Sequence, residues 1–173
     1  PGKNWTHIIE PRARITVMHH TETQELFATR EASDSAGALL SDTTLFSNNR
    51  FAGYDLWENG TFADYGVRWA TFSNDGESAE IFLGQSYDLS ARAKTDPNSG
   101  FHKDASDYVG RVSLDNGSWL GLNSRFRLDR DSLALRHIET DGRIGTSHNY
   151  IYVGHIWSEQ LDEAFLGQDI NET

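Results

Sequence analysis

TFADYGVRWATFSNDGESAEIFLGQSYDL, residues 61–89, reads as two strands and the turn between them. In the first half Ala63, Tyr65, Val67 and Trp69 alternate with Asp64, Gly66 and Arg68. In the second half Ala79, Ile81, Leu83, Tyr87 and Leu89 alternate with Glu80, Gly84, Ser86 and Asp88. Successive side chains of an extended chain point to opposite sides, so each set falls on one face. Asn74-Asp75-Gly76 supplies the Asp-Gly pair that accepts the positive φ of a tight hairpin turn. The hairpin therefore has one apolar face and one charged face.

The same period extends in both directions. Ile9, Pro11, Ala13, Ile15 and Val17 oppose Glu10, Arg12, Arg14 and Thr16. Tyr108, Val112 and Leu114 oppose Arg111 and Ser113, and Leu120, Leu122, Phe126 and Leu128 oppose Asn123, Arg125 and Arg127. Leu133 and Leu135 oppose Arg136 less cleanly, and a last strand over about 148–157 is apolar on both sides, which leaves its orientation unassigned. Turns are expected at Asp115-Asn116-Gly117, Asp129-Arg130-Asp131 and Asp141-Gly142-Arg143, with long loops at about 19–60 and 90–106. The expected fold is all-β, an antiparallel up-and-down meander of about seven strands. Its long and short connections segregate to opposite ends.

Composition narrows the setting. Apolar residues make up 37% and aromatics 12% of the 173 residues, a balance that suits sheets with one wet face. With those aromatics and 3 prolines, disorder is excluded. A net charge of -11 excludes a nucleic-acid partner, which demands clustered Lys and Arg. Cysteine is absent, so neither a disulfide framework nor a thiolate metal site exists in this chain. No apolar run reaches the ~18 residues a spanning helix needs. The charged face nonetheless carries Arg12, Arg14, Arg68, Arg111, Arg125 and Arg127. A single meander brings no second sheet and no helix to cover its apolar face, so lipid is the expected cover. The expectation is part of a transmembrane outer-membrane β-barrel, with those six arginines facing the lumen. Trp5, Trp57, Trp69, Trp119 and Trp157 fall near strand ends, where aromatic girdles lie. Seven strands leave an open edge, which lipid does not tolerate. Residues 1–173 are therefore expected to be a partial barrel domain, processed or truncated, since neither a secretion signal nor an initiator Met is present.

Several stretches occur in a characteristic order: Ile9-Glu10-Pro11-Arg12-Ala13, then Leu45-Phe46-Ser47-Asn48-Asn49-Arg50-Phe51-Ala52-Gly53-Tyr54-Asp55, then Asn59-Gly60-Thr61 and Tyr65-Gly66-Val67-Arg68-Trp69. Leu83-Gly84-Gln85-Ser86-Tyr87, Ser106-Asp107-Tyr108-Val109-Gly110-Arg111-Val112 and Arg125-Phe126-Arg127-Leu128-Asp129 follow. In this order the chain resembles the C-terminal β-barrel domain of the LptD family, in the style of its alphaproteobacterial members. The resemblance implies a segment of the outer-membrane translocon that transports lipopolysaccharide and inserts it into the outer leaflet of a Gram-negative cell. It also implies an LptE-type plug lipoprotein in the lumen, contact with outer-membrane lipid, and a periplasmic Lpt bridge reached through a jelly-roll domain absent here. Asn49, Arg50, Phe51, Gly53, Tyr54 and Asp55 would form the family's loop motif. The family's lateral-gate strands are not identifiable, and its disulfide cysteines are missing.

No catalytic constellation emerges, and neither an enzyme, a cofactor nor a metal site is expected. There is no Gly-x-Ser-x-Gly elbow, and Ser86 is the nearest approach to one. His19-His20, His148 and His155 are scattered. Asp129 with Asp131 reads as a turn rather than a calcium site, while Asp96, Asp104 and Asp107 read as solubilising an outer loop. The arginines suit phosphate and carboxylate groups. The plainer alternative pairs them with Glu10, Asp64, Glu80 and Asp88 across strands as scaffolding. Rival functions are a solute-conducting barrel of the porin or transporter kind, a soluble β-sandwich that binds carbohydrate and, more distantly, an outer-membrane phospholipase.

Overall fold

The structure, a computed structural model, describes residues 4–18, 40–47, 60–89, 104–146 and 148–159. Seven strands form one sheet: β1 (Trp5–Met18), β2 (Gly60–Ser73), β3 (Ser78–Asp88), β4 (Tyr108–Asp115), β5 (Leu120–Leu128), β6 (Leu135–Gly145) and β7 (Tyr150–Ser158). They lie side by side in chain order, every neighbouring pair antiparallel. The all-β meander expected from alternation is the observed one. Short turns at 74–77 and 116–119 and the link from Gly145 to Tyr150 close one end, and the strand ends Met18 and Gly60, Asp88 and Tyr108, and Leu128 and Leu135 lie at the other. Gly76 and Gly117 take φ of 89° and 73°, as their tight turns require. No helix among the described residues is long and apolar enough to cross a membrane.

Two details correct the sequence reading. Asp141-Gly142-Arg143 is not a turn. Its residues sit inside β6, where Gly142 pairs with Leu122 on one side and Val153 on the other. With a strand on each flank, backbone ladder bonds outweigh the turn preference of an Asp-Gly pair. The reversal falls instead between Gly145, at φ 131°, and Tyr150. The register also orients β7. Arg143 pairs with Tyr152 and Glu139 with Ile156, so Tyr150, Tyr152, Gly154 and Ile156 share the arginine side. Ile151, Val153, His155 and Trp157 share the apolar side.

The core lies on the unexpected side. Across the sheet the apolar face is open: Ile9 is 70% exposed, Ile15 71% and Val153 57%, with Val67, Leu83 and Leu114 also exposed. The buried cluster lies on the charged face, where Leu40 and Leu45 of the first long connection pack against Phe82 and Val109. Gly84 makes this possible, because a Cβ there would collide with the Leu45 side chain, and the Phe82 ring lies beside it over Gly66. A protein dissolved in water buries its apolar face. Among the described residues, this chain covers part of its charged face and leaves the apolar one bare.

Candidate functional site: the charged face and the segment seated on it

The cross-strand register brings the six arginines to one face as a ladder of ion pairs. Glu10 stands directly opposite Arg68, Asp64 opposite Arg14, and Glu139 opposite Arg125. Arg12 holds Glu10 at 2.7 Å, and Arg68 bridges Glu10 at 3.3 Å and Glu80 at 2.6 Å. Glu80 in turn accepts from Arg111 at 2.5 Å. The scaffolding partners Glu10, Asp64 and Glu80 therefore engage these arginines as the pairing alternative described. Asp64 is buried and receives Arg14 at 2.8 Å, while its other oxygen accepts the Ser86 hydroxyl at 2.7 Å. Ser86 is thus a partner of a buried carboxylate within the scaffold.

Arg111 and Arg125 face each other directly across β4 and β5. Like charges in that relation repel. The relief comes from outside the sheet. Asp42, on a turn of the segment 40–47, lies over both, 3.1 Å from Arg111 and 3.7 Å from Arg125. The same segment is tied at its other end by Arg14, whose guanidinium donates to the carbonyls of Phe46 at 2.6 Å and Ser47 at 2.9 Å. Phe46 meets Phe82 edge-on. Alternation could not reveal this contact, because it reads strands and not what returns to lie on them. The available signal was the apolar pairs Leu39-Leu40 and Leu45-Phe46 within an otherwise polar connection. Asp42 was missed for the same reason.

Toward the long-connection end, Arg127 is buried beside Asp107 at 3.6 Å, and Arg136 reaches Asp129 at 2.5 Å and Glu159 at 3.0 Å. One Asp129 oxygen accepts the amides of Asp131 and Ser132 and the Ser132 hydroxyl, and the other accepts Arg136. The Arg136 guanidinium, with the Ser132 amide and hydroxyl, holds this carboxyl well below the usual carboxylate range. With its lone pairs committed to these donors, Asp129 caps the turn. Among the described residues no group of three His, Asp or Glu is arranged to hold a metal.

On the apolar face aromatic side chains gather at two levels. Trp5 and Trp69 lie toward the short-turn end, while Tyr65, Tyr87 and Trp157 lie toward the other, the Tyr65 hydroxyl donating to Gln85; Trp119 lies in the turn 116–119. The loop-motif residues Asn49, Arg50, Phe51, Gly53, Tyr54 and Asp55 lie outside the described residues, as do Trp57, Asp96 and His19-His20.

A family model described as LPS transport system D, LptD, matches residues 1–172. No curated protein matches the chain.

Proposed function

The chain belongs to the LptD family, an outer-membrane family of lipopolysaccharide transport, and from that membership we propose that it is a wall segment of the outer-membrane translocon. In this reading residues 1–173 are part of a larger transmembrane barrel that carries lipopolysaccharide and releases it into the outer leaflet. The charged face with Arg12, Arg14, Arg68, Arg111, Arg125 and Arg127 lines the lumen, and the apolar face meets outer-membrane lipid. The chain performs no catalysis. Its partners are lipopolysaccharide, an LptE-type plug lipoprotein and, through another domain, the periplasmic Lpt bridge.

The observation that carries this is the inverted burial among the described residues: an uncovered apolar face across seven strands, and a core formed on the arginine face. Strand length agrees. The 14 residues of β2 extend roughly 46 Å at ~3.3 Å each, or about 33 Å of height at a 45° tilt, enough for the hydrocarbon layer. The aromatic residues at two levels sit where girdles would contact the two interfaces. A soluble β-sandwich needs a second sheet over the apolar face, and the described residues form a single sheet.

The test places a photo-crosslinking amino acid at Ser113 or Asn123, on the charged face, and at Leu83, on the apolar face, of the full-length protein in cells. Lumenal adducts to lipopolysaccharide are expected to disappear within minutes of halting its synthesis, while adducts at Leu83 persist. Lumenal positions that never capture lipopolysaccharide, in cells whose barrel passes small solutes, would replace this reading with a solute channel.

A further inference from the structure

We propose that the segment 40–47 is an internal occupant of a phosphate-binding site, its Asp42 carboxylate resting where a phosphate group binds between Arg111 and Arg125. The fit of Asp42 is incomplete. Its side chain is 1% exposed, yet Oδ1 accepts no hydrogen bond and lies 3.7 Å from Arg125 Nε, itself buried without an acceptor. A planar carboxylate bonds Arg111 well and only approaches Arg125. A tetrahedral phosphate presents three acceptor oxygens and can engage two opposed guanidinium forks at once.

The charge balance points the same way. Arg12, Arg68, Arg111 and Arg125 meet four carboxylates, Glu10, Glu80, Glu139 and Asp42, and of these only Asp42 comes from outside the sheet. When it leaves, one positive charge is left over at the point where two arginines face each other. The segment is also built to leave as a unit. Two of its backbone bonds are internal, Leu45 N–H to the Ser41 carbonyl at 3.0 Å and Ser47 N–H to the Thr44 carbonyl at 2.9 Å. It adds no strand to the sheet. It is held by Leu40 and Leu45 in the recess above Gly84 and by the Arg14 fork on its carbonyls. A ligand phosphate that takes Arg111 and Arg125 therefore competes directly with the segment's only acidic anchor on them among the described residues. The inference rests on the conduit reading only for the source of that phosphate, a glycolipid headgroup in transit.

The test uses the full-length protein in detergent, with the unboiled-to-boiled gel shift as the control for an intact barrel. The probes are phosphorylated lipopolysaccharide, the same glycolipid after enzymatic removal of its phosphates, and free pyrophosphate. Asp42→Asn, which keeps the shape and removes the charge, is expected to tighten binding of the phosphorylated glycolipid about tenfold, the scale of one close charge pair. Arg125→Gln alone is expected to weaken it, and adding Arg125→Gln to Asp42→Asn to cancel the gain. If pyrophosphate gains equally, the site stands as a phosphate site while the glycolipid source, and with it the conduit reading, loses its support here. Unchanged binding in Asp42→Asn, or an equal gain with the dephosphorylated glycolipid, overturns the proposal.

Discussion

Replacing Leu45 by alanine separates the seating of the 40–47 segment from the stability of the sheet beneath it. Leu45 is fully buried against Phe82 and Val109, in a recess that Gly84 leaves open. Leu→Ala changes at such sites cost about 2–5 kcal/mol, depending on how far the neighbours collapse into the space. The recess is walled by backbone at Gly84 and by the side chains of Phe82, Val109 and Leu40, and only the side chains can move in. At the lower figure of about 2 kcal/mol, at ~1.4 kcal/mol per factor of ten, opening of the segment rises roughly 30-fold. That cost falls on local opening, because no inter-strand ladder uses Leu45. Hydrogen exchange of the full-length protein in detergent reads it directly. The amides of Leu45 and Ser47, bonded to Ser41 and Thr44, should exchange roughly 30-fold faster. Amides of β2 and β3 should be unchanged. Unaltered protection at Leu45 and Ser47 would refute the seating, and equal loss across β2 and β3 would show that the segment is part of the global fold.

Three further outcomes follow from the same geometry. Leu83→Arg, on the apolar face, should cost about 2–4 kcal/mol in denaturant unfolding from lipid vesicles, while Ser113→Arg on the other face should cost little; equal costs would contradict the assignment of faces. Gly110→Ala should destabilise by about 1–3 kcal/mol, because a Cβ there meets the Phe126 ring and the Phe82 carbonyl, and adding Phe126→Leu should recover the part due to the ring; additive losses in the double variant would exclude the clash with Phe126. Asp129 contributes stability that is complete above its ordinary value of 3.8 and is lost only as pH falls through its lower folded value. Asp129→Asn should therefore lower the unfolding temperature at neutral pH and flatten its decline below pH ~4, and a parallel acid limb in both proteins would assign the effect elsewhere.

Much of the fold was legible because alternation and turn chemistry agreed. Residues 61–89 carried both signals, and the observed hairpin of β2 and β3 follows them nearly residue for residue. Where the two signals parted, local chemistry misled: Asp141-Gly142 reads as a turn in isolation, but neighbours on both sides hold it in β6. β7 could not be oriented from its own residues, since Tyr152 and Ile156 are as apolar as Ile151 and Val153. Only pairing with Arg143 and Glu139 decides its faces. The arginine face was readable as a face, and Glu10, Asp64 and Glu80 could be named from the alternation as its partners, whereas Glu139, on the strand obscured by the Asp141-Gly142 turn signal, could not. Asp42 could not, because its role depends on a connection returning across the sheet, which no short-range pattern encodes. The apolar pairs at Leu39-Leu40 and Leu45-Phe46 were the trace it left.

In a barrel wall one face of the sheet meets lipid and the other meets water. Single cysteines at Val67, Leu83 and Leu114 on one face, and at Ser113 and Asn123 on the other, can be probed in the full-length protein in intact outer membranes. A charged, water-borne maleimide should label Ser113→Cys and Asn123→Cys. A fluorophore at the other three should be quenched by nitroxides carried on lipid chains. Maleimide labelling of Val67→Cys, Leu83→Cys and Leu114→Cys with no quenching by lipid nitroxides would place the apolar face in a protein interior or in water, and the barrel account would fail.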